Sequence, residues 1–163
     1  MVTDELSSLS ALVGDRLRAE RMLLATAESC TGGGVAQQLT SIAGSSEWFE
    51  RGYVTYSDAA KMEMLHVKAS TLQAHGAVSE QVAREMAAGA LAGSHAQITV
   101  AVTGVAGPGG GSADKPVGTV CFAWARTNRK VTSETRHFTG NRESVRSQSV
   151  IAALQGVLDV LDD

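Results

Sequence analysis

A chain of 163 residues, 44% of them hydrophobic, is long enough to bury roughly two-thirds of its unfolded surface, which predicts one soluble globular domain and argues against disorder. Fourteen Lys and Arg against 17 Asp and Glu give a net charge of -3, leaving no basic footprint for a nucleic acid and no polybasic stripe for an anionic membrane. Seventeen glycines stand against three Phe, two Trp and two Tyr, and because glycine costs backbone entropy, its positions mark places where geometry or close approach requires it.

Residues Thr3 to Glu20 place Leu6, Leu9, Leu12, Val13 and Leu17 on one helical face, with Thr3 the expected N-cap. Met22 to Thr26 reads as a buried strand. It leads into Ala27-Glu28-Ser29-Cys30-Thr31-Gly32-Gly33-Gly34, and a helix is expected from Thr31 to Ser41. Trp48 to Ser57 has the β-branched and aromatic character of a strand, and Ser57 is placed to cap a short helix carrying Lys61. Ser70 to His75 reads as a helical turn stopped by Gly76, and Ser79 as the cap of a helix through Ala92.

Gln97 to Val102 is a second buried strand, followed by a glycine-rich loop from Thr103 to Lys115. Val117 to Arg126 and Val131 to Phe138 read as an antiparallel hairpin, and Asn141 caps a final helix. Strands alternating with helices predict an α/β fold, while the late hairpin forbids a purely parallel sheet. The expected architecture is a single three-layer α/β/α domain over residues 1–163 with a mixed, mostly parallel sheet.

Cys30 and Cys121 are too few for a disulfide framework, and no C-x-x-C or Cys/His cluster suggests a metal site, so neither metal nor cofactor is expected. The first ten residues lack a cationic start followed by an apolar stretch, and no run approaches the roughly 20 apolar residues of a membrane span. A cytoplasmic location is expected. The apolar faces of the first and last helices leave room for a homodimer, although such stripes are more often core.

In open α/β sheets ligands bind beyond the carboxyl ends of strands, where Ser29 and Thr103 both fall. Ser29 stands before glycines whose N-H groups, at Thr31, Gly32 and Gly33, offer an oxyanion site, so it reads either as a nucleophile or as a helix cap. Cys30 is the competing nucleophile. Glu28 is either an ion-pair partner or a substrate-orienting carboxylate. Lys61 reads as a solvated surface lysine or as a desolvated amine able to take a proton from Ser29, with Tyr56 orienting or relaying. Neither Tyr-x-x-x-Lys nor G-x-G-x-x-G is present, which argues against a dinucleotide oxidoreductase.

The loop carrying Thr103, Gly104 and Gly107 contains no G-K-[ST] and is not a Walker loop, but its successive amides can nest an anion. Arg142 and Arg146 share a helix face in its first turns, where positive charge is disfavoured unless an anion or a partner such as Glu143 compensates. Nine of the 17 glycines fall at Gly32 to Gly34 and Gly104 to Gly118, which reads as two backbone surfaces kept bare for an anionic group to approach.

Six motifs in order, Ala-Glu-Ser-Cys-Thr-Gly-Gly at 27–33, Tyr-Ser-Asp-x-x-Lys at 56–61, Gly-Ala-Val-Ser-Glu at 76–80, Thr-Gly-Val-Ala-Gly-Pro-Gly-Gly at 103–110, Lys-Pro-Val-Gly-Thr-Val at 115–120 and Gly-x-Arg-x-x-Val-Arg at 140–146, resemble the CinA carboxy-terminal domain family. Its stand-alone members include a nicotinamide-nucleotide amidase. The resemblance implies deamidation of nicotinamide mononucleotide to nicotinate mononucleotide and ammonia. It places the family's serine and lysine on Ser29 and Lys61, its tyrosine on Tyr56, and its threonine and arginine on Thr103 and Arg142. Asp58 stands where many members have asparagine. A nucleotide-binding or partner-binding module without turnover, linked to competence or damage responses, is the alternative from another class.

Overall fold

The structure, a computed structural model, describes residues 2–163, with side chains from Asp4 onward. Helix α1 (Val2–Glu20) leads into β1 (Leu24–Glu28), α2 (Gly34–Thr40), a 3-10 turn at Ser45–Glu47, and β2 (Phe49–Val54). Three helices follow, α3 (Asp58–Leu65), α4 (Ala69–His75) and α5 (Glu80–Ala92), then β3 (Ile98–Gly104), β4 (Thr119–Arg126), β5 (Thr132–His137) and α6 (Arg142–Asp162).

The strands form one sheet in the order β2-β1-β3-β4-β5. β1 pairs parallel with both β2 and β3, and the two pairings of β4 are antiparallel. Four of the five strands therefore run the same way, the mixed and mostly parallel sheet expected. The chain leaves β1 toward one edge and leaves β3 toward the other. The carboxyl ends of these neighbours thus flank the crevice where doubly wound sheets bind ligands.

Alternation along the strands gives the sheet two unlike faces. Leu24, Ile98, Val100, Val102, Val120, Phe122 and Trp124 bury large side chains against α1, α2 and α6. Ala27, Ala101, Cys121, Ala123 and Ala125 present small ones to α3 and α5. Small side chains let a helix approach closely, and the Thr99 hydroxyl donates directly to the carbonyl of Ala87 on α5 at 2.8 Å. This completes three layers.

Several boundaries differ from those expected. Thr3 lies inside α1 rather than ahead of it, and its side chain is outside the described residues. Leu12 is 49% exposed, so the buried stripe of α1 is Leu6, Val13 and Leu17. α2 starts at Gly34, three residues later than expected, because Gly32 and Gly33 take left-handed backbone angles (φ 57° and 98°) that a helix cannot contain. Thr103 and Gly104 belong to β3, since Thr103 and Gly104 pair with Cys121 and Val120.

A Cβ added at Gly89 would lie 1.9 Å from the backbone carbonyl oxygen of Leu65, at the end of α3. Gly→Ala inside a helix ordinarily stabilises by about 1 kcal/mol. Here the sign reverses: Gly89→Ala should destabilise by about 1–3 kcal/mol, because backbone must move against backbone. A urea midpoint that rises in Gly89→Ala would contradict the close α3–α5 contact.

Candidate active site

The β1 strand does not stop hydrogen bonding at Glu28. Ser29 N-H donates to the carbonyl of Val102 (2.9 Å), and Thr55 N-H to that of Glu28 (2.8 Å), so Ser29 is held by the sheet itself. α2 is not capped by Ser29. Its N-cap is Gly33, which has no side chain, and Glu28 substitutes for a cap: its carboxylate accepts from the N-H groups of Val35 (2.9 Å) and Ala36 (3.0 Å) and from the Thr31 hydroxyl. A carboxylate satisfies the orphan donors of a helix start and complements its dipole. The cap reading of Ser29 is thereby removed.

α3 carries the second partner. Ser57 caps it through Ala60 N-H, and Lys61, one turn on, runs inward with 2% of its surface exposed. Its Nζ lies 3.2 Å from Ser29 Oγ and donates to the carbonyl of Thr55 at 3.1 Å. Burial pulls the Lys61 ammonium below its ordinary value of 10.5, with Asp58 pulling the other way. The surface-lysine reading fails. Cys30 also lines the cleft but packs with the apolar core, and burial pushes its thiol up to about 12, which disfavours the thiolate a cysteine nucleophile needs.

Ser29, Lys61, Asp58, Thr103, Gly104, Gly107 and Arg142 line one cleft of about 300 Å³, closed on one side by the Gly104–Gly111 loop. Thr103 donates its hydroxyl to the carbonyl of Ala77 (2.9 Å), tying the cleft wall to the turn before α5. At the mouth, Arg142 donates to the carbonyl of Gly107 and to the Tyr56 hydroxyl, both at 2.8 Å. The N-H groups of Gly107, Gly109, Gly110 and Gly111 meet no acceptor among the described residues. A second cavity, lined by Ala106, Pro108, Val117 and Asn141, continues from the first past Ala106 and Arg142.

Other sequence-predicted site residues fall elsewhere. Tyr56 reaches the cleft but is 60% exposed and bonded to Arg142; no hydrogen bond joins it to Ser29 or Lys61. Glu28, Thr31, Gly32, Gly33 and Arg146 do not line the cleft. Glu28 is consumed by α2, Gly32 N-H by the carbonyl of Ser29, and Arg146 by the carbonyl of Thr31 at 3.2 Å on the far side of the turn. Neither arginine pairs with Glu143 among the described residues. The Thr55 carbonyl and the Ala77–Val78 backbone were missed, since main-chain groups leave no mark in a sequence.

A larger cleft of about 620 Å³ opens between α5 and β4–β5. Three of its charged groups are bonded to neutral partners: Glu80 accepts from Ser133 and Thr135, Arg84 donates to Ser133 and to the carbonyl of Val131, and Lys115 donates to the carbonyl of His75. Among the described residues no three His, Cys, Asp or Glu side chains converge as metal ligands, and no helix is long and apolar enough to cross a membrane.

The CinA C-terminal domain family matches residues 6–161. The chain belongs to the CinA C-terminal domain family. It is 51% identical to nicotinamide-nucleotide amidohydrolase PncC of Enterobacter agglomerans, over 97% of this chain and 96% of that protein. It is 52% identical to the protein of the same name from Escherichia coli K12, over 95% and 94%. The crystal structure of competence/damage inducible protein CihA from Agrobacterium tumefaciens superposes with a TM-score of 0.93 at 44% identity, covering 98% of this chain and 96% of that one.

In this CinA C-terminal domain the state of Lys61 is open to measurement. A lysine whose pKa is lower folded than unfolded binds fewer protons in the native state, so stability rises with pH between its folded value and 10.5. Unfolding of the wild type and of Lys61→Met between pH 7 and 10 should show the wild type gaining stability relative to the variant as pH rises. A constant difference would mean that the amine is not desolvated.

Proposed function

We propose that this chain is a nicotinamide-nucleotide amidohydrolase that converts nicotinamide mononucleotide to nicotinate mononucleotide and ammonia. The observation that carries the chemistry is the buried Lys61 amine 3.2 Å from Ser29 Oγ; near full-length relatives that bear the amidohydrolase name support the substrate.

On this reading, Ser29 Oγ attacks the carboxamide carbon while neutral Lys61 takes the hydroxyl proton. The resulting Lys61 ammonium returns a proton to the leaving nitrogen as the C-N bond breaks, and ammonia departs. Water then attacks the Ser29 ester, Lys61 accepting its proton and passing it to Ser29 Oγ as the acyl C-O bond breaks, and the acid is released. The amide of Cys30, the residue after Ser29 in the cleft lining, supplies the oxyanion donor. Thr31, Gly32 and Gly33, expected for that role, do not line the cleft and are withdrawn from it. Arg142 and the unpaired amides at Gly109 to Gly111 receive the phosphate, an anion suited to a guanidinium and a backbone nest. Tyr56 serves this end of the cleft by holding Arg142.

Ser29→Ala should lower the rate of ammonia release by on the order of 10^4-fold or more, while Cys30→Ala keeps most of it. The opposite pattern would move the nucleophile to Cys30. Because Asp58 stabilises the Lys61 ammonium, Asp58→Asn should lower the Lys61 pKa further and shift the acid limb of kcat/KM toward lower pH. An acid limb that stays in place or moves up would show that a group other than Lys61 titrates.

A further inference from the structure

Thr31 is held from both sides, although it touches neither the cleft nor Lys61. It is 1% exposed. Its hydroxyl donates to Glu28, whose other bonds go to Val35 and Ala36 at the start of α2. Its carbonyl accepts from Arg146 of α6 (3.2 Å) and from Gly34 N-H (2.9 Å). The Arg146 guanidinium lies so close behind the turn that a Cβ on Gly32 would sit 3.3 Å from Nη2. The residue gripped stands two after Ser29, and Cys30, which lines the cleft, is the single residue between Ser29 and the grip.

A turn with left-handed angles at two consecutive glycines has few side chains to fix it. Fixed donors stabilise a developing oxyanion because they need no reorganisation as charge forms. We propose that Thr31, clamped by Glu28 on its hydroxyl and Arg146 on its carbonyl, is a positioning residue that holds the neighbouring Cys30 amide in place for the transition state. Arg146 therefore serves the chemical step rather than the substrate's phosphate, and Glu28 acts as the inner jaw rather than as a substrate ligand.

The inference rests on the amidohydrolase reading. The test measures kcat and KM for nicotinamide mononucleotide in wild type, Thr31→Val, Thr31→Ser and Arg146→Gln, with thermal unfolding of each. Val keeps the shape of Thr but removes the hydroxyl; Ser keeps the hydroxyl. Thr31→Val and the solvent-reached Arg146→Gln should each lose roughly tenfold or more in kcat, the scale of one charge-assisted hydrogen bond, with KM little changed. Thr31→Ser should recover most of the loss. A wild type that releases no ammonia overturns the amidohydrolase reading and the clamp's purpose with it. A wild type that turns over while Thr31→Val and Arg146→Gln keep kcat, or change only KM, overturns the clamp alone, as does a Thr31→Ser no better than Thr31→Val.

Discussion

A buried amine with no carboxylate hydrogen-bonded to it is the constraint around which this molecule is arranged. Lys61 has no carboxylate bonded to it; its neighbours are a hydroxyl and a main-chain carbonyl. Burial without an ion-pair partner favours the uncharged form, and a neutral amine that gives one N-H to Thr55 keeps a lone pair for the Ser29 hydroxyl. The Thr55 carbonyl thus orients the amine, and it is fixed by the backbone, because Thr55 N-H continues the β1–β2 ladder to Glu28. The Ser29 and Lys61 side chains are thus positioned by backbone tied to the sheet centre.

Bringing a lysine on a helix to a serine at a strand end requires the helical layer to lie close to the sheet. The small face of Ala27, Ala101, Ala123 and Ala125 permits this, as does Gly89, over which the carbonyl of Leu65 closes the end of α3. The opposite face uses bulk. Phe122 and Trp124 stack with centroids 5.8 Å apart, Trp124 donates to the carbonyl of Ala153 (3.0 Å), and its ring fills the space a Cβ on Gly156 would need. One face anchors the domain and the other sets the reach of Lys61.

Much of this was legible in the chain. The alternation of strands and helices, the hairpin and the caps at Ser57, Ser79 and Asn141 appear where the patterns placed them, because caps and apolar periodicity are local. Ser29, Lys61, Thr103 and Arg142 converge as the motif order implied. What failed was nonlocal. Nothing local distinguishes Glu28 as a cap for α2 seven residues on, or Arg146 as a brace from another helix. The glycines carry the same lesson: Gly109 opens onto free space, but Gly14, Gly89 and Gly156 are small because Trp48, Leu65 and Trp124 occupy their surroundings. Composition counts both kinds alike.

The consumption of the α2 N-terminus by Glu28 decides how charge is distributed across the site. A free helix start beside Ser29 would attract the phosphate of a nucleotide to the reacting end. With its amides neutralised by a buried carboxylate, the Ser29 end offers one local N-H group and an amine, enough for a transient oxyanion but weak for a dianion. The cationic character lies at the other end, with Arg142 at the start of α6 and the bare amides of the glycine loop. A molecule with a neutral carboxamide at one end and a phosphate at the other fits that polarity in a single orientation. On the proposed reading, the carboxamide enters where the amine is driest because the stronger anion site lies elsewhere.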